Sequence, residues 1–233
     1  MSLRGILFDF NGTLFFDSEM HMEAFRRCSI SRGKPIPTVD DMVRGFFGRT
    51  NTTICREQYN PLADEAELLA FAEEKETYYH AACLEDVSRM HLVPGAEELL
   101  DYLKANGIPF GLATGSEAVN LAFYMKHLNL GRWFSEENIV YDDHTFEGKP
   151  APDIYLRAAE KIGLCPSEII VFEDGTSGMV SALRAGIGVV LPIWEATLPS
   201  PLTEEVSPPL GEDVAYHDLT SWREILAEYG LLR

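Results

Sequence analysis

Residues 5–12 read GILFDFNG, and this stretch decides how the rest of the chain is interpreted. From Gly5 to Phe10 the run is almost uninterrupted in its apolar character and contains one charged residue, Asp9. A short apolar run of this kind is typical of a strand that is buried on both faces, as in a parallel sheet. We therefore predict a buried strand here, with the carboxylate of Asp9 close to its carboxyl end.

The sequence after Pro94-Gly95 alternates between strand-like and helix-like segments. Strands are predicted at 109–113, 139–141, 169–172 and 188–191, and helices at 97–106, 117–128, 151–162 and 176–185. Repeated βα units of this kind predict a parallel sheet with helices on both faces. Residues 192–213 contain five prolines and are expected to form an irregular surface excursion, before a last strand at 214–216 and a helix at 220–229.

The segment between Asp17 and about Val87 has no convincing strand and is interpreted as a helical insertion. Helices are predicted at 18–32, after the capping-box sequence Thr38-Val-Asp-Asp41, and from Asp64 to about Leu84. The predicted fold class is therefore α/β. Residues 1–14 and 91–233 are expected to form a Rossmann-like, doubly wound parallel sheet with its helices, and residues 15–90 an inserted all-helical domain.

The composition of the 233-residue chain limits the classes of function. Its 46% hydrophobic and 24% charged residues are typical of a globular protein. A net charge of −18, with no local run of Lys or Arg, argues against nucleic acid and anionic membranes as partners. No stretch approaches the roughly 18 apolar residues of a membrane span, and the predicted first strand leaves no room for a signal peptide. We expect a cytoplasmic protein and take a monomer as the default.

Polar and charged side chains follow the predicted strands at their carboxyl ends, where ligands of open α/β sheets bind. They fall into four groups: Asp9-Phe-Asn-Gly-Thr13, Thr114-Gly-Ser116, Lys149, and Glu173-Asp174-Gly175. A cluster that is rich in oxygen ligands and contains no His or Cys suits Mg²⁺. Lysine and hydroxyl groups beside a glycine-containing loop suit a phosphoryl group. If these strand ends converge, the sequence predicts a site for Mg²⁺ and a phosphorylated ligand.

The same four groups resemble, in the same order, the four motifs of the haloacid dehalogenase superfamily. Asp9-Phe-Asn-Gly-Thr-Leu14 is similar to the first motif, Asp-x-Asp-Gly-Thr, and Leu112-Ala-Thr-Gly-Ser116 to the second. Gly148-Lys-Pro-Ala-Pro-Asp153 is similar to the third motif, and Val171-Phe-Glu-Asp-Gly-Thr-Ser-Gly178 to the fourth. Residues 15–90 resemble the helical cap of the phosphoglycolate phosphatase and β-phosphoglucomutase branch, whose closure would exclude bulk water.

The resemblance implies a role for each of these positions. Asp9 would attack phosphorus to give an aspartyl-phosphate, while Mg²⁺, Lys149 and Thr114 would offset the repulsion between the two anions. The implied catalytic residues are Asp9, Asn11 and Lys149; the implied phosphate-binding residues are Thr114, Gly115 and Lys149; the implied metal ligands are Asp9, Asn11 through its backbone carbonyl, Glu173 and Asp174.

Asn11 departs from the family pattern, which has Asp at this position. In the family this second Asp protonates the leaving alkoxide and later activates water. An amide can donate a hydrogen bond but cannot give or take a proton at neutral pH, and general acid–base catalysis is typically worth roughly 10²–10⁴-fold in rate. Three accounts stay open: another group transfers the proton, the natural leaving group needs none, or the chain binds without turnover, including the case of an engineered Asn11.

Four further residues are candidates for contacts with the substrate. In the cap, the resemblance to the sugar-phosphomutase branch would bring His21 near the active-site entrance, and Arg49 would grip a second anionic group. The alternatives are a partly exposed helix histidine and a surface ion pair. Ser116 and Asn120 would line the pocket beyond Thr114, or would cap the following helix instead.

The predicted function is that of an Mg²⁺-dependent phosphohydrolase whose substrate is a small phosphorylated metabolite, with sugar phosphates among the candidates. A β-phosphoglucomutase-like phosphotransferase is the nearest enzymatic rival, but its repeated proton transfers are poorly served by Asn11. The rival from another class is a catalytically weak protein that binds a phosphometabolite. A phosphonatase is disfavoured, because Arg49 stands where phosphonoacetaldehyde hydrolases carry a Schiff-base lysine.

Overall fold

The computed structural model describes residues 2–47, 49–202, 206 and 216–233. The chain divides into two compact units, which we call the core unit (Met1–Phe16 and His91–Arg233) and the helical unit (Asp17–Met90). The first boundary, at Phe16, lies two residues beyond the one expected from the sequence. None of the helices in the described ranges combines the length and the apolar character that a membrane span requires.

A five-stranded sheet organises the core unit. Its strands are β1 (Gly5–Phe8), β2 (Phe110–Glu117), β3 (Ile139–Asp142), β4 (Ile169–Glu173) and β5 (Val189–Pro192). Their order is β3-β2-β1-β4-β5, and every neighbouring pair is parallel. The predicted α/β class with a parallel sheet is therefore confirmed.

The register of the sheet places the end of β1 between β2 and β4. Phe8 on β1 pairs with Leu112 on β2 and with Phe172 on β4. The next residue of β1 is Asp9, whose backbone N–H donates to the carbonyl of Phe172 at 3.0 Å. Because β1 is the middle strand, residues in the last part of β2 and at the end of β4 lie on either side of Asp9.

β2 is longer than the sequence predicts. It runs to Glu117, so Thr114, Gly115 and Ser116 belong to the strand and not to a loop after it. The reason is a pairing beyond the predicted end: Glu117 pairs with Asp142 of β3, after an irregularity in the register that begins at Ala113.

The helical unit contains α1 (Ser18–Ser31), α2 (Val39–Gly45), α3 (Asn51–Ile54) and α4 (Glu65–Glu85), with a π-helical turn at Cys55–Tyr59. Two predicted helix starts are confirmed. Thr38 and Asp41 cap each other at the start of α2, and the Asp64 side chain accepts the backbone N–H of Glu67 at the start of α4. An apolar cluster of residues from α1 to α4, including Phe71, forms the interior of the unit. α3 and the π-helical turn have no counterpart in the prediction.

The core unit adds α5 (Ala96–Ala105), α6 (Ala118–His127), α7 (Asp153–Lys161), α8 (Thr176–Arg184) and α9 (Trp222–Glu228). α7 buries Ile154, Tyr155 and Ala158, positions that share one face of a helix. These side chains pack in one cluster with Leu7 of β1 and Val171 of β4. The cluster fixes the helix that follows Lys149 against the middle of the sheet.

The end of the predicted surface excursion is only partly described. Residues 203–205 and 207–215, which include most of the strand predicted at 214–216, lie outside the described residues. Tyr216 is described and forms an isolated parallel bridge with Ile193, just after β5. The last predicted helix is confirmed as α9.

Candidate active site

Four charged side chains meet at the carboxyl edge of β1 and β4. The Lys149 Nζ lies 2.6 Å from Oδ1 of Asp9, and 3.2 and 3.3 Å from the two carboxylate oxygens of Glu173. Asp174 joins them: carboxylate oxygens of Asp9, Glu173 and Asp174 lie within 4.8 Å of one another. Asp9 and Glu173 are buried, with 6% and 2% of their surface exposed. The structure thus brings together the charged residues of the first, third and fourth sequence motifs.

Burial makes this cluster electrostatically unusual. Burial and the neighbouring carboxylate of Asp9 raise the pKa of Glu173 to about 8, although Lys149 opposes the shift. Burial alone would lower the pKa of Lys149, but the carboxylates of Asp9 and Glu173 raise it, so this ammonium stays charged. At neutral pH Glu173 is therefore largely protonated, and the carboxylates of Asp9 and Asp174 still outnumber the single ammonium of Lys149.

The donor set fits a hard divalent cation. The oxygens of Asp9, Glu173 and Asp174 are hard ligands, which Mg²⁺ prefers over nitrogen and sulfur. A divalent ion would also neutralise the negative charge that Lys149 leaves unbalanced. The residues present therefore agree with the metal site predicted from the sequence.

Two of these carboxylates occupy space that would be filled by a side chain if the neighbouring residues were not glycine. A Cβ on Gly178, in the first turn of α8, would lie 1.5 Å from Oε1 of Glu173. A Cβ on Gly12 would lie 2.0 Å from Oδ2 of Asp174, and the φ of Gly12 is +76°, a region that side-chain-bearing residues rarely adopt. Each glycine thus accommodates a carboxylate that a larger residue would displace.

Tyr155 supports Glu173 from α7. Its hydroxyl donates to Oε2 of Glu173 at 2.9 Å, and Lys149 Nζ lies 5.3 Å from the centre of its ring. The side chain is completely buried. Burial and the nearby carboxylate of Glu173 raise the pKa of Tyr155 well above its usual value, so its hydroxyl stays a hydrogen-bond donor.

Asn11 is held at both ends of its carboxamide. Its Nδ2 donates to the hydroxyl of Tyr124 at 2.8 Å, and its Oδ1 accepts from the hydroxyl of Ser116 at 2.7 Å. The backbone N–H of Ser116 in turn donates to Oγ1 of Thr114 at 3.1 Å. Asn11, Ser116 and Thr114, three residues singled out in the sequence, therefore lie in one hydrogen-bonded group.

The other two residues predicted to lie near Thr114 differ in their surroundings. Gly115 is exposed, and a Cβ there would meet nothing within 4 Å. Asn120 is buried on α6, with 6% of its surface exposed. The predicted contacts of both residues with a ligand stay predictions.

His21 and Arg49 belong to the helical unit. His21 Nε2 lies 3.2 Å from Asp17, and its ring stacks on Tyr79 with 4.2 Å between ring centres. Arg49 forms an ion pair with Glu57. Both side chains thus have partners within their own unit, and their contact with a substrate stays a prediction.

Tyr124 and Tyr155 are the residues that the sequence analysis misses. Both occupy buried positions on helices, where an aromatic residue is most simply interpreted as core packing. A signal was nevertheless present, because a buried tyrosine hydroxyl usually has a hydrogen-bond partner. Tyr155 in addition lies two residues after Asp153, at the end of the third motif.

Comparison with known proteins agrees with this arrangement. The family model of haloacid dehalogenase-like hydrolases matches residues 3–186, which include every charged residue of the cluster. The chain belongs to this family. As a haloacid dehalogenase-like hydrolase it is an enzyme, and the phosphatases of the family are among its relatives.

Three relatives of this haloacid dehalogenase-like hydrolase span most of its length. A phosphorylated carbohydrates phosphatase from Thermotoga maritima is 30% identical over 190 residues, covering 79% of this chain and 82% of the relative. The crystal structure of a haloacid dehalogenase hydrolase of family IA, variant 3, from Entamoeba histolytica has a TM-score of 0.81 and 34% identity, with 98% of each chain covered. A family hydrolase from Deinococcus radiodurans, solved with bound phosphate and sodium, has a TM-score of 0.72 and 25% identity over 99% of this chain and 97% of that one.

Proposed function

We propose that the chain is an Mg²⁺-dependent phosphohydrolase that cleaves a small phosphorylated metabolite through an aspartyl-phosphate on Asp9. The observation that carries this proposal is the buried group in which Lys149 contacts both Asp9 and Glu173, with Asp174 beside them. The phosphorylated carbohydrates phosphatase among the relatives supports a sugar phosphate as the substrate class.

Asp9 is the nucleophile in this proposal. One of its carboxylate oxygens forms a bond to phosphorus while the bond between phosphorus and the leaving oxygen breaks. Lys149, held 2.6 Å from Oδ1, orients the carboxylate and reduces the repulsion between it and the phosphoryl oxygens. Water then attacks the phosphorus of the aspartyl-phosphate, which releases inorganic phosphate and restores the Asp9 carboxylate.

Glu173 and Asp174, together with Asp9 and the backbone carbonyl of Asn11, would hold the metal. When bound, Mg²⁺ would supply positive charge that stabilises the phosphoryl oxygens as negative charge builds up on them. Tyr155 and Gly178 keep the Glu173 carboxylate in place by a hydrogen bond and by the absence of a side chain, respectively.

Asn11 determines which leaving groups this site can expel. Its carboxamide offers a hydrogen bond but no proton. A leaving group with a low pKa departs as an anion and needs no acid, whereas an alkoxide does. We therefore expect efficient turnover of esters with good leaving groups and slow turnover of alkyl phosphates.

The β-phosphoglucomutase-like reaction is the second candidate. It requires a proton to be transferred twice for each phosphoryl group moved, and an amide at position 11 serves both transfers poorly. The rival binding function predicts saturable phosphate-ester affinity without phosphate release. A monomeric state and a cytoplasmic location stay predictions.

Phosphate release from a series of esters tests the proposal. Phosphate release in the presence of Mg²⁺ is measured for the wild-type chain, Asn11→Asp and Asp9→Asn. The substrates are aryl and alkyl phosphates whose leaving groups span a wide range of pKa. We expect Asn11→Asp to raise turnover of alkyl phosphates by roughly 10²–10⁴-fold, and that of the best aryl phosphates much less. Asp9→Asn is the blank, because it removes the nucleophile and keeps the size of the side chain.

The outcomes separate the two classes of function. Mg²⁺-dependent release above the Asp9→Asn blank supports a phosphohydrolase. If neither the wild-type chain nor Asn11→Asp exceeds that blank, the hydrolase proposal fails and the binding function replaces it.

A further inference from the structure

We propose that Tyr124 is a positioning residue of the active site, which fixes the direction of the Asn11 carboxamide during phosphoryl transfer. The inference rests on the proposed function, in which the Asn11 carboxamide offers a hydrogen bond to the leaving group. Tyr124 acts in it through Asn11 and has no assigned contact with the substrate.

The ring of Tyr124 is held rigidly in the core unit. Only 1% of the residue is exposed. Its ring centre lies 4.6 Å from that of Phe10, 6.2 Å from that of Phe15 and 6.0 Å from that of Phe123. Close packing of this kind restricts the ring to one position, so its hydroxyl is a fixed point in the site.

The hydrogen bonds on Asn11 define one orientation of the amide. Tyr124 accepts a hydrogen from Nδ2, while Ser116 donates one to Oδ1, so the two ends of the amide have different partners. A single partner would leave the carboxamide free to turn about its last side-chain bond. Since the Tyr124 ring cannot follow such a turn, rotation of Asn11 would break at least one of these bonds.

The same group of hydrogen bonds reaches the predicted phosphate-binding hydroxyl. Ser116 is linked to Asn11 by its side chain and to Thr114 by its backbone N–H. Because Oγ1 of Thr114 accepts that N–H, the hydroxyl keeps its own hydrogen to donate to a phosphoryl oxygen. Tyr124 therefore anchors one end of a series of contacts whose other end is the position assigned to the phosphoryl group.

The direction of Asn11 matters because it replaces a residue that transfers protons. A hydrogen bond to the leaving oxygen stabilises charge only when the donor is aimed at it before the reaction. An amide that turned freely would lose much of that effect. Tyr124 holds the Asn11 amide in this direction, so removal of its hydroxyl should affect the chemical step more than substrate binding.

A double-mutant cycle tests the inference with an aryl phosphate as substrate. The wild-type chain is compared with Tyr124→Phe, Asn11→Ala and the double variant, and both kcat and KM are measured. Tyr124→Phe keeps the ring and removes one neutral hydrogen bond, so we expect kcat to fall about 3- to 10-fold while KM changes less than about 2-fold. In the Asn11→Ala background the same substitution should have no further effect on kcat. Tyr141→Phe, on β3, is the control for loss of a tyrosine hydroxyl elsewhere in the sheet.

The cycle distinguishes positioning from a general structural role. If Tyr124→Phe lowers kcat equally with Asn11 and with Ala at position 11, or raises KM alone, the inference is overturned. If Tyr124→Phe changes nothing while the wild-type chain turns over, the inference also fails and the proposed function stands.

A second measurement does not depend on turnover. The side-chain amide signals of Asn11 are identified in a ¹⁵N–¹H spectrum by their loss in Asn11→Ala. We expect these signals to shift in Tyr124→Phe and their hydrogens to exchange faster with water, because the acceptor of Nδ2 is gone. Unchanged signals would overturn the inference. Absence of phosphate release by the wild-type chain would instead overturn the proposed function, and these signals would still decide whether Tyr124 fixes Asn11.

Discussion

The hydroxyl of Tyr155 is expected to contribute measurably to stability, because it donates to a buried carboxylate. At pH 9, above its pKa of about 8, Glu173 is charged and is only 2% exposed, and a hydrogen bond to a charged group is worth about 1.5–3 kcal/mol. We predict that Tyr155→Phe lowers the free energy of unfolding by about that amount and weakens Mg²⁺ binding, as measured by urea unfolding and by titration calorimetry. Tyr102→Phe is the matched control, since its hydroxyl bonds to the exposed end of the chain at Arg233. Equal losses in both variants would contradict the assigned role.

At the scale of residues, the sequence revealed the charged part of the site and missed its hydroxyl supports. Asp9 and Glu173 are conspicuous because they are charged side chains at the ends of apolar strands, and Lys149 because it precedes a helix in a sequence similar to the third motif. Tyr124 and Tyr155 each occupy a buried face of a helix. There the aromatic ring alone explains the apolar periodicity, and the sequence does not indicate that the hydroxyl has a hydrogen-bond partner. Their partners, Asn11 and Glu173, are distant in the chain, so the contacts depend on the register of the folded sheet.

The turn between β4 and α8 leaves room for the carboxylate of Glu173 only because Gly178 has no side chain. We predict that Gly178→Ala displaces this carboxylate, since the new Cβ would lie 1.5 Å from Oε1. A misplacement of about 1 Å can cost roughly 10²-fold in rate, so kcat/KM for phosphate release should fall by about that factor. Gly175→Ala is the control three residues earlier: its Cβ would lie 3.7 Å from the same oxygen, an ordinary contact. Similar losses in both variants would contradict the explanation.

At the scale of elements, predictions succeeded where the signal was local. Thr38 with Asp41, and Asp64, mark the starts of α2 and α4 because a capping interaction joins residues only three positions apart in the sequence. The extension of β2 to Glu117 could not be predicted, since it depends on pairing with Asp142 of β3. α3 is only four residues long, too short for its periodicity to stand out.

At the scale of the whole molecule, the four cysteines differ in burial between the two units. Cys28, Cys55 and Cys83 lie buried in the helical unit, and Cys165 is exposed in the core unit. Burial raises the pKa of Cys28 and of Cys83 to about 12. The thiolate is the nucleophile that reacts with thiol reagents, so at pH 8 we predict rapid labelling of one of the four cysteines in the native protein and of all four in denaturant. Mass spectrometry counts the labels, and Cys165→Ser should show none. Rapid native labelling of a second thiol would contradict the buried positions.

The same pKa shifts predict how stability depends on pH. Since the folded-state pKa of Cys28 lies above its ordinary value of about 9, the folded state favours the protonated thiol. The associated stability is fully present below pH 9 and is lost as the pH rises towards 12. Urea unfolding at pH 8 and pH 10.5 should show a decrease, and Cys28→Ala should reduce the difference between the two. A free energy of unfolding that increases over this interval would contradict the prediction.

The central position of β1 has a consequence for how the chain is made. Ile6 pairs with Phe110 and Gly5 with Ile169, so β1 can pair with β2 only after about half of the chain has been synthesised, and with β4 only after about three quarters. At translation rates of roughly 5–20 residues per second, this interval lasts on the order of ten seconds or more. The helical unit, by contrast, is complete once Met90 has left the ribosome. The nascent protein is therefore expected to carry a folded helical segment while the apolar strand β1 is still unpaired, which makes that strand a natural target for chaperones.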